Sequence, residues 1–251
     1  MPPLRPVLLL GLSLLLFASG CPASTVPPAP SPPLSLERET AGLRYLERLS
    51  GGARPDERLP MIIALHPMGG DPASLLELFQ GYRGRARFIV PFGHPSGGLY
   101  AWDDAIAPDA DRIAAALPAL LGARPTLGKP IVTGFSQGGM LSFALAAAHP
   151  QAIAAAFPVG GLLPPALYPS AAQRSEPRPA TLPPVIAFHG ADDLAVPTQD
   201  ALASIEELKR VGYTAELHTY QGLAHDISPE EIAEVMQRIG RAAEALTAPA
   251  P

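Results

Sequence analysis

Short apolar runs recur along the chain, separated by stretches with helical spacing. Met61 to Leu65 (MIIAL) is unbroken by any polar residue and is bounded by Pro60 and by His66-Pro67. An apolar run without alternation, closed by proline at each end, predicts a strand buried on both faces. Arg87–Val90 (RFIV), Pro130–Thr133 (PIVT), Ala154–Val159, Val185–Phe188 and Ala215–Tyr220 predict further strands. Helices are predicted over Pro72–Phe79, with Asp71 as N-cap, and over Ala107–Leu121, which must accommodate Pro118. Three more are predicted over Ser136–Ala148, closed by His149-Pro150, over Thr198–Val211 and over Pro229–Leu246. Leu43–Leu49 fits either an edge strand or a short helix, and Gly51-Gly52 ends it. Residues 162–184 form a Pro-rich excursion. Buried strands alternating with helices predict an α/β unit, a mostly parallel sheet with helices on both faces.

The first 35 residues do not share this pattern. Arg5 supplies a small positive region, and Val7 to Phe17 (VLLLGLSLLLF) is an apolar run. It is too short to cross about 30 Å of hydrocarbon, which needs a helix of about 20 residues. It fits the core of a signal peptide over residues 1–20. Ala18-Ser19-Gly20-Cys21 follows and resembles a bacterial lipoprotein lipobox, with Ala18 where leucine is usual. An ordinary small-x-small cleavage site is the other reading, and both cut before Cys21. The only cysteine of the chain lies at the one place an anchor needs it, which favours lipidation of Cys21 by a diacylglyceryl group and a palmitate-like N-acyl chain. The expected location is the bacterial cell envelope, as an outer-membrane lipoprotein or in the periplasm. Residues 21–35 hold the cysteine and a proline-rich linker that is semi-rigid and packs no core. Residues 36–251 are the expected folded domain.

The formal net charge of −5 comes with no run of Lys or Arg, which argues against nucleic acid as a partner. With one cysteine there is neither an internal disulfide nor a Cys-rich metal site. No metal or organic cofactor is expected.

The chemistry is concentrated where strands end. The third buried strand runs into Gly134-Phe135-Ser136-Gln137-Gly138-Gly139 and straight into a helix. This is G-x-S-x-G in the strand–turn–helix context that exposes a serine at a helix N-terminus. The turn is so sharp that Gly134 and Gly138 must lack a bulky Cβ. A nucleophilic serine needs a base, and the base needs a carboxylate to orient it. Four histidines come into question. His149 ends the nucleophile helix, about 20 Å away at 1.5 Å per residue. His218 lies within a strand, and His189 ends one with no acid suitably placed between it and the serine. His225 lies in the loop after the sixth strand, at the sheet edge where such folds build sites, and is the expected base. The loop after the fifth strand offers the adjacent Asp192 and Asp193. Side chains of neighbouring residues point apart, so one alone can meet His225. Asp193 is the expected partner, and Asp192 is expected to bond loop backbone. An oxyanion hole needs two backbone N–H groups. Gln137 supplies one, and the turn His66-Pro67-Met68-Gly69-Gly70 the other. Pro67 has no N–H, so Met68 is the expected donor, with His66 bracing the turn.

The set LHPMGG, GFSQGG, HGADDLAVP and GLAHD, in this order, resembles the phospholipase/carboxylesterase group of α/β-hydrolases, which includes acyl-protein thioesterases. The resemblance covers roughly residues 43–245 and implies an α/β-hydrolase fold. It further implies Ser136, Asp193 and His225 as a triad, with Met68 and Gln137 as oxyanion donors. Pro67 stands where the group usually has glycine. Trp102, in YAWDD, resembles a tryptophan near the acyl pocket of the group. The expectation is an exported, lipid-anchored serine hydrolase that cleaves carboxylic esters through an acyl-enzyme. A thioesterase, a feruloyl esterase or a polyester depolymerase would use the same triad. A surface binding module without activity is the alternative of another class.

Overall fold

The computed structural model describes residues 35–169 and 181–247. The expected signal peptide, Cys21 and the proline-rich linker lie outside the described residues, as does the middle of the 162–184 excursion. An eight-stranded sheet is built from β1 (Leu36–Thr40), β2 (Leu43–Ser50), β3 (Met61–Leu65), β4 (Ala86–Pro91), β7 (Ile131–Phe135), β8 (Ala155–Val159), β9 (Val185–Gly190) and β10 (Ala215–Tyr220), in the order β1-β2-β4-β3-β7-β8-β9-β10. β2 pairs antiparallel with both β1 and β4, and β4, β3, β7, β8, β9 and β10 are parallel. A separate hairpin joins β5 (His94–Ser96) to β6 (Leu99–Ala101). Helices α1 (Pro72–Leu78), α2 (Ala107–Ala123), α3 (Gln137–Ala148), α4 (Thr198–Arg210) and α5 (Pro229–Thr247) complete the fold.

The unbroken apolar runs follow from burial on both faces. In β3, Met61, Ile63 and Leu65 join the core beneath α2, α3 and α4, while Ile62 and Ala64 face the core beneath α1 and α5. Successive side chains of a strand point to opposite faces, so a strand covered twice has no polar face to show. Leu43–Leu49 resolves as a strand, because β4 pairs with it on one side and β1 on the other. β1 itself (LERET) carries mostly exposed positions and joins β2 through Ala41-Gly42, both at positive φ. An edge strand with no apolar face leaves no periodic signal. Pro118 sits within α2 on its exposed side, while Leu117 and Leu120 are buried. At the antiparallel edge of the sheet Arg87 is buried with Glu47 as its ion-pair partner, and Arg124 reaches the other carboxylate oxygen at 3.1 Å. Removing one member of such a pair would leave an unpaired buried charge. β7 lies at the centre of the sheet, so the turn leaving it is supported on both sides.

Candidate active site

Ser136 is the residue between β7 and α3, at φ 56° and ψ −118°. A non-glycine residue at positive φ costs about 1–3 kcal/mol unless its surroundings hold it there. Here its N–H donates to Val159 C=O at 2.9 Å, and two glycines let backbones meet. A Cβ on Gly134 would lie 2.5 Å from Gly138 O, and one on Gly138 would lie 2.0 Å from Leu65 O. Both distances are impossible for real side chains, so any larger residue would push the elbow off the end of β3.

His225 Nε2 lies 2.8 Å from Ser136 Oγ, and its Nδ1 lies 2.7 Å from Asp193 Oδ2. A carboxylate only accepts, so Nδ1 carries the proton and Nε2 is free to accept from the serine hydroxyl. Asp193 Oδ1 accepts from the N–H groups of Ala195 and Val196, both at 2.9 Å. The carboxylate is buried, whereas Asp192 is exposed and uses its backbone N–H on Leu223 C=O. The loops bearing Asp193 and His225 are in direct backbone contact. A Cβ on Gly190 would sit 2.3 Å from the carbonyl oxygens of both Leu223 and Ala224. Phe135 stacks on the His225 ring, with centroids 5.0 Å apart. Asp226 is exposed and caps its own loop by accepting from Ile227 N–H.

The other histidines go elsewhere. His149 bonds Asp111 at 2.7 Å, and His218 lies between Glu216 and Glu234. His189 is fully buried behind the acid. Its Nε2 is 2.8 Å from Val196 O and 3.3 Å from Asp193 Oδ2. It opens the HGADDLAVP motif, four residues before Asp193. His66 is also fully buried, with Nδ1–H donating to Pro67 C=O at 2.8 Å and Nε2 accepting from Gly93 N–H at 3.1 Å. Burial pushes its pKa below the usual imidazole value, so the ring stays neutral and braces the turn. In that turn Gly69 takes φ +64°, and Gly70 N–H donates to Pro67 C=O at 3.0 Å. Met68 stands at the corner with its side chain exposed, and Gln137 is the buried first residue of α3.

Trp102 is 3% exposed, its indole N–H donates to His66 C=O at 2.7 Å, and its ring stacks on His66. It packs behind the His66–Gly70 turn, where the His66 ring meets its face and the His66 carbonyl takes its donor.

A group that no motif announced lies at the start of α5. Glu231 is fully buried, and neither carboxyl oxygen has a partner in hydrogen-bonding geometry. Burial, with Asp226 and Asp193 nearby, raises its pKa to about 7, against partial relief from Ser228. In the unfolded chain the carboxyl ionises near 4.5. The stability held by its neutral form is therefore fully present below pH 4.5 and is lost as pH rises through 7. The interval corresponds to about 3 kcal/mol. Glu231→Gln should remove this dependence. Urea unfolding at pH 5 and pH 8 should show the variant gaining on the wild type at the higher pH, and equal slopes would contradict the assignment.

Among the described residues no group of three or more His, Cys, Asp or Glu side chains is placed to hold a metal ion, and no helix is long and apolar enough to cross a membrane.

A family model described as Phospholipase/Carboxylesterase matches residues 113–241, just over half of the chain. Carboxylesterase SOBER1 of Arabidopsis thaliana is 31% identical over 110 residues, which cover 44% of this chain and 47% of that protein. Acyl-protein thioesterase 1 of Gibberella zeae is 44% identical over 52 residues, 21% of this chain and 22% of that protein. The chain thus spans less than half the length of these curated relatives. Among solved structures, esterase PE8 superposes with a TM-score of 0.62 at 26% identity, covering 77% of this chain and 99% of that one.

Proposed function

Because the chain belongs to the phospholipase/carboxylesterase family and has the α/β-hydrolase fold, we propose that it is a serine hydrolase of carboxylic esters working through Ser136, His225 and Asp193. The observation that carries this reading is the continuous line from Ser136 Oγ to His225 Nε2, and from Nδ1 to Asp193 Oδ2, at 2.8 and 2.7 Å.

The chemistry follows from that line. Oγ attacks the acyl carbon as its proton passes to Nε2. Asp193 holds the ring by its Nδ1–H and stabilises the imidazolium that forms. Negative charge develops on the former carbonyl oxygen, where the Gln137 and Met68 N–H groups stabilise it, helped by the N-terminus of α3. The imidazolium protonates the leaving alcohol. Water then enters and loses a proton to His225 as its oxygen bonds the acyl carbon; the C–Oγ bond breaks, the imidazolium returns the proton to Ser136 Oγ, and the acid leaves. A thioester would follow the same route with a thiolate that departs more readily. The similarity to a protein named acyl-protein thioesterase supports keeping that substrate in view. The test is turnover of p-nitrophenyl acetate, butyrate and octanoate beside an acyl thioester. The reading expects hydrolysis of at least one, abolished by fluorophosphonate. Absence of turnover across the panel would favour a binding module.

Export and anchoring through Cys21 belong to the same proposal. They are supported by the short apolar run, the small residues before position 21 and the uniqueness of the cysteine. Three acyl chains bury dozens of CH₂ groups at about 0.8 kcal/mol each, so the mature protein should stay with membranes through a high-salt wash. Cys21→Ser should abolish lipidation. The intact mass of the mature N-terminal peptide, produced in a host that processes lipoproteins, decides the point, and an unmodified Cys21 would leave plain secretion.

A further inference from the structure

The two segments that bear the oxyanion donors are tied together through one residue that belongs to neither. The buried side-chain amide of Gln137 pairs with the backbone of Trp102 through two bonds: Oε1 accepts Trp102 N–H, and Nε2–H donates to Trp102 C=O, both at 2.9 Å. This pairing fixes the orientation of the amide, since the reverse would set donor against donor. On its other side Trp102 donates its indole N–H to His66 C=O at 2.7 Å and stacks on the His66 ring, with centroids 4.5 Å apart and planes inclined by 21°. His66 in turn donates from Nδ1 to Pro67 C=O and accepts from Gly93 N–H. Met68 is the next residue. A continuous path of hydrogen bonds therefore runs from one donor segment to the other, and Gln137, Trp102 and His66 are all buried.

The linking residue is itself immobilised. Asp103 N–H donates to Asp109 Oδ2 at 2.7 Å, and Asp109 Oδ1 accepts from Arg112 at 2.9 Å. Asp109 is buried at the start of α2. Between them Ile106 takes φ 63° while fully packed in the core. A β-branched residue at positive φ is a strained conformation that persists only where its surroundings impose it. The segment following Trp102 is thus held at both ends.

We propose that Trp102 is a positioning residue of the oxyanion hole, fixing the separation and aim of the Gln137 and Met68 N–H groups without touching substrate. The inference rests on the reading of Ser136 as nucleophile. Its consequence is selective. The ground-state carbonyl oxygen carries little charge, so the placement of the donors matters chiefly when the tetrahedral oxyanion forms. Loosening the link lowers kcat and leaves KM nearly unchanged. A displacement of about 1 Å in a catalytic group costs about 10²-fold.

The experiment uses the full-length protein and p-nitrophenyl butyrate, with active sites counted by fluorophosphonate labelling so that unfolded molecules do not enter kcat. Trp102→Phe keeps an aromatic ring on His66 and deletes the indole donor. Gln137→Met deletes both side-chain bonds and keeps the backbone N–H. Each should lower kcat by about 10- to 100-fold with KM within about threefold of wild type. The double variant should lose no more than about threefold beyond the worse single, because either change opens the same path. Affinity for a trifluoromethyl ketone, which forms an oxyanion on the nucleophile, should fall in step with kcat/KM. Where Trp102→Phe unfolds, incorporation of 3-benzothienylalanine at position 102 keeps the shape and removes the N–H alone. Unchanged kcat in a folded variant, or losses that multiply in the double variant, would overturn the inference. Fluorophosphonate labelling of Ser136→Ala, or turnover within about tenfold of wild type in that variant, would instead overturn the assignment of the nucleophile, so the two failures are distinguishable.

Discussion

Ser136→Ala should lower kcat for ester hydrolysis by about 10⁴–10⁶-fold, equivalent to about 5–8 kcal/mol of transition-state stabilisation. Oγ is the one atom lost, and it is the atom within 2.8 Å of His225 Nε2. Residual turnover should persist above the uncatalysed rate, because the oxyanion donors and the substrate site are left in place. The measurement is steady-state hydrolysis together with fluorophosphonate labelling, which should occur in the wild type alone. Stability should separate two otherwise equivalent knockouts. Alanine keeps a Cβ at φ 56° and with it the strain of the turn, whereas glycine adopts that φ freely. Ser136→Gly should therefore be as inactive as Ser136→Ala yet melt at a higher temperature. Equal melting temperatures would mean that the elbow is not strained, and labelling of the alanine variant would move the nucleophile elsewhere.

Asp193→Asn should lower kcat by about 10⁴-fold, and the surroundings of the carboxylate dictate how. Oδ1 accepts from two backbone N–H groups, those of Ala195 and Val196. An asparagine must turn its oxygen toward that pair, which places its NH₂ against His225 Nδ1. Nδ1 then has to accept, the ring proton moves to Nε2, and Nε2 faces Ser136 Oγ as a donor. The base is lost although every heavy atom keeps its place. Asp192→Asn, on an exposed side chain, should change kcat by less than about threefold, as surface substitutions usually do. Rates for the two variants side by side decide between them, and a reversed ranking would assign the orienting carboxylate to Asp192. A crystal or NMR determination of the His225 tautomer in Asp193→Asn would check the mechanism directly.

The buried carboxylate of Glu231 and the imidazole of His189 show where reading the chain stops. Glu231 stands in an unremarkable local sequence, and His189, although it opens HGADDLAVP, has its contacts with Val196 and Asp193 set by the fold of that loop. Ser228 and Glu231 read as an ordinary helix start, and Ser228 Oγ does accept from Glu231 N–H. That the Glu231 side chain is buried without partners depends on how α5 lies against the sheet, which no local pattern encodes. Trp102 is a comparable case. Its partners Gln137 and His66 lie 35 and 36 positions away along the chain.

By itself the sequence determined the parts governed by local physics. Double burial writes itself as unbroken apolar strands, helices keep their period, and the elbow demands glycine at 134 and 138 because backbone atoms would otherwise overlap. Proline at 67 has no N–H to donate, wherever the turn is placed. The tertiary structure decided what depends on distance across the fold. It brought Ser136 within hydrogen-bonding reach of His225, 89 residues further along, and it selected the buried Asp193 over its exposed neighbour. It also resolved β1, whose positions are mostly exposed, and the β5–β6 hairpin, whose three-residue strands are too short to show a period. Burial of an apolar stripe is a property of a segment and leaves its period in the chain. A hydrogen bond between segments is a property of their packing, and it leaves no trace until the core has set where they meet.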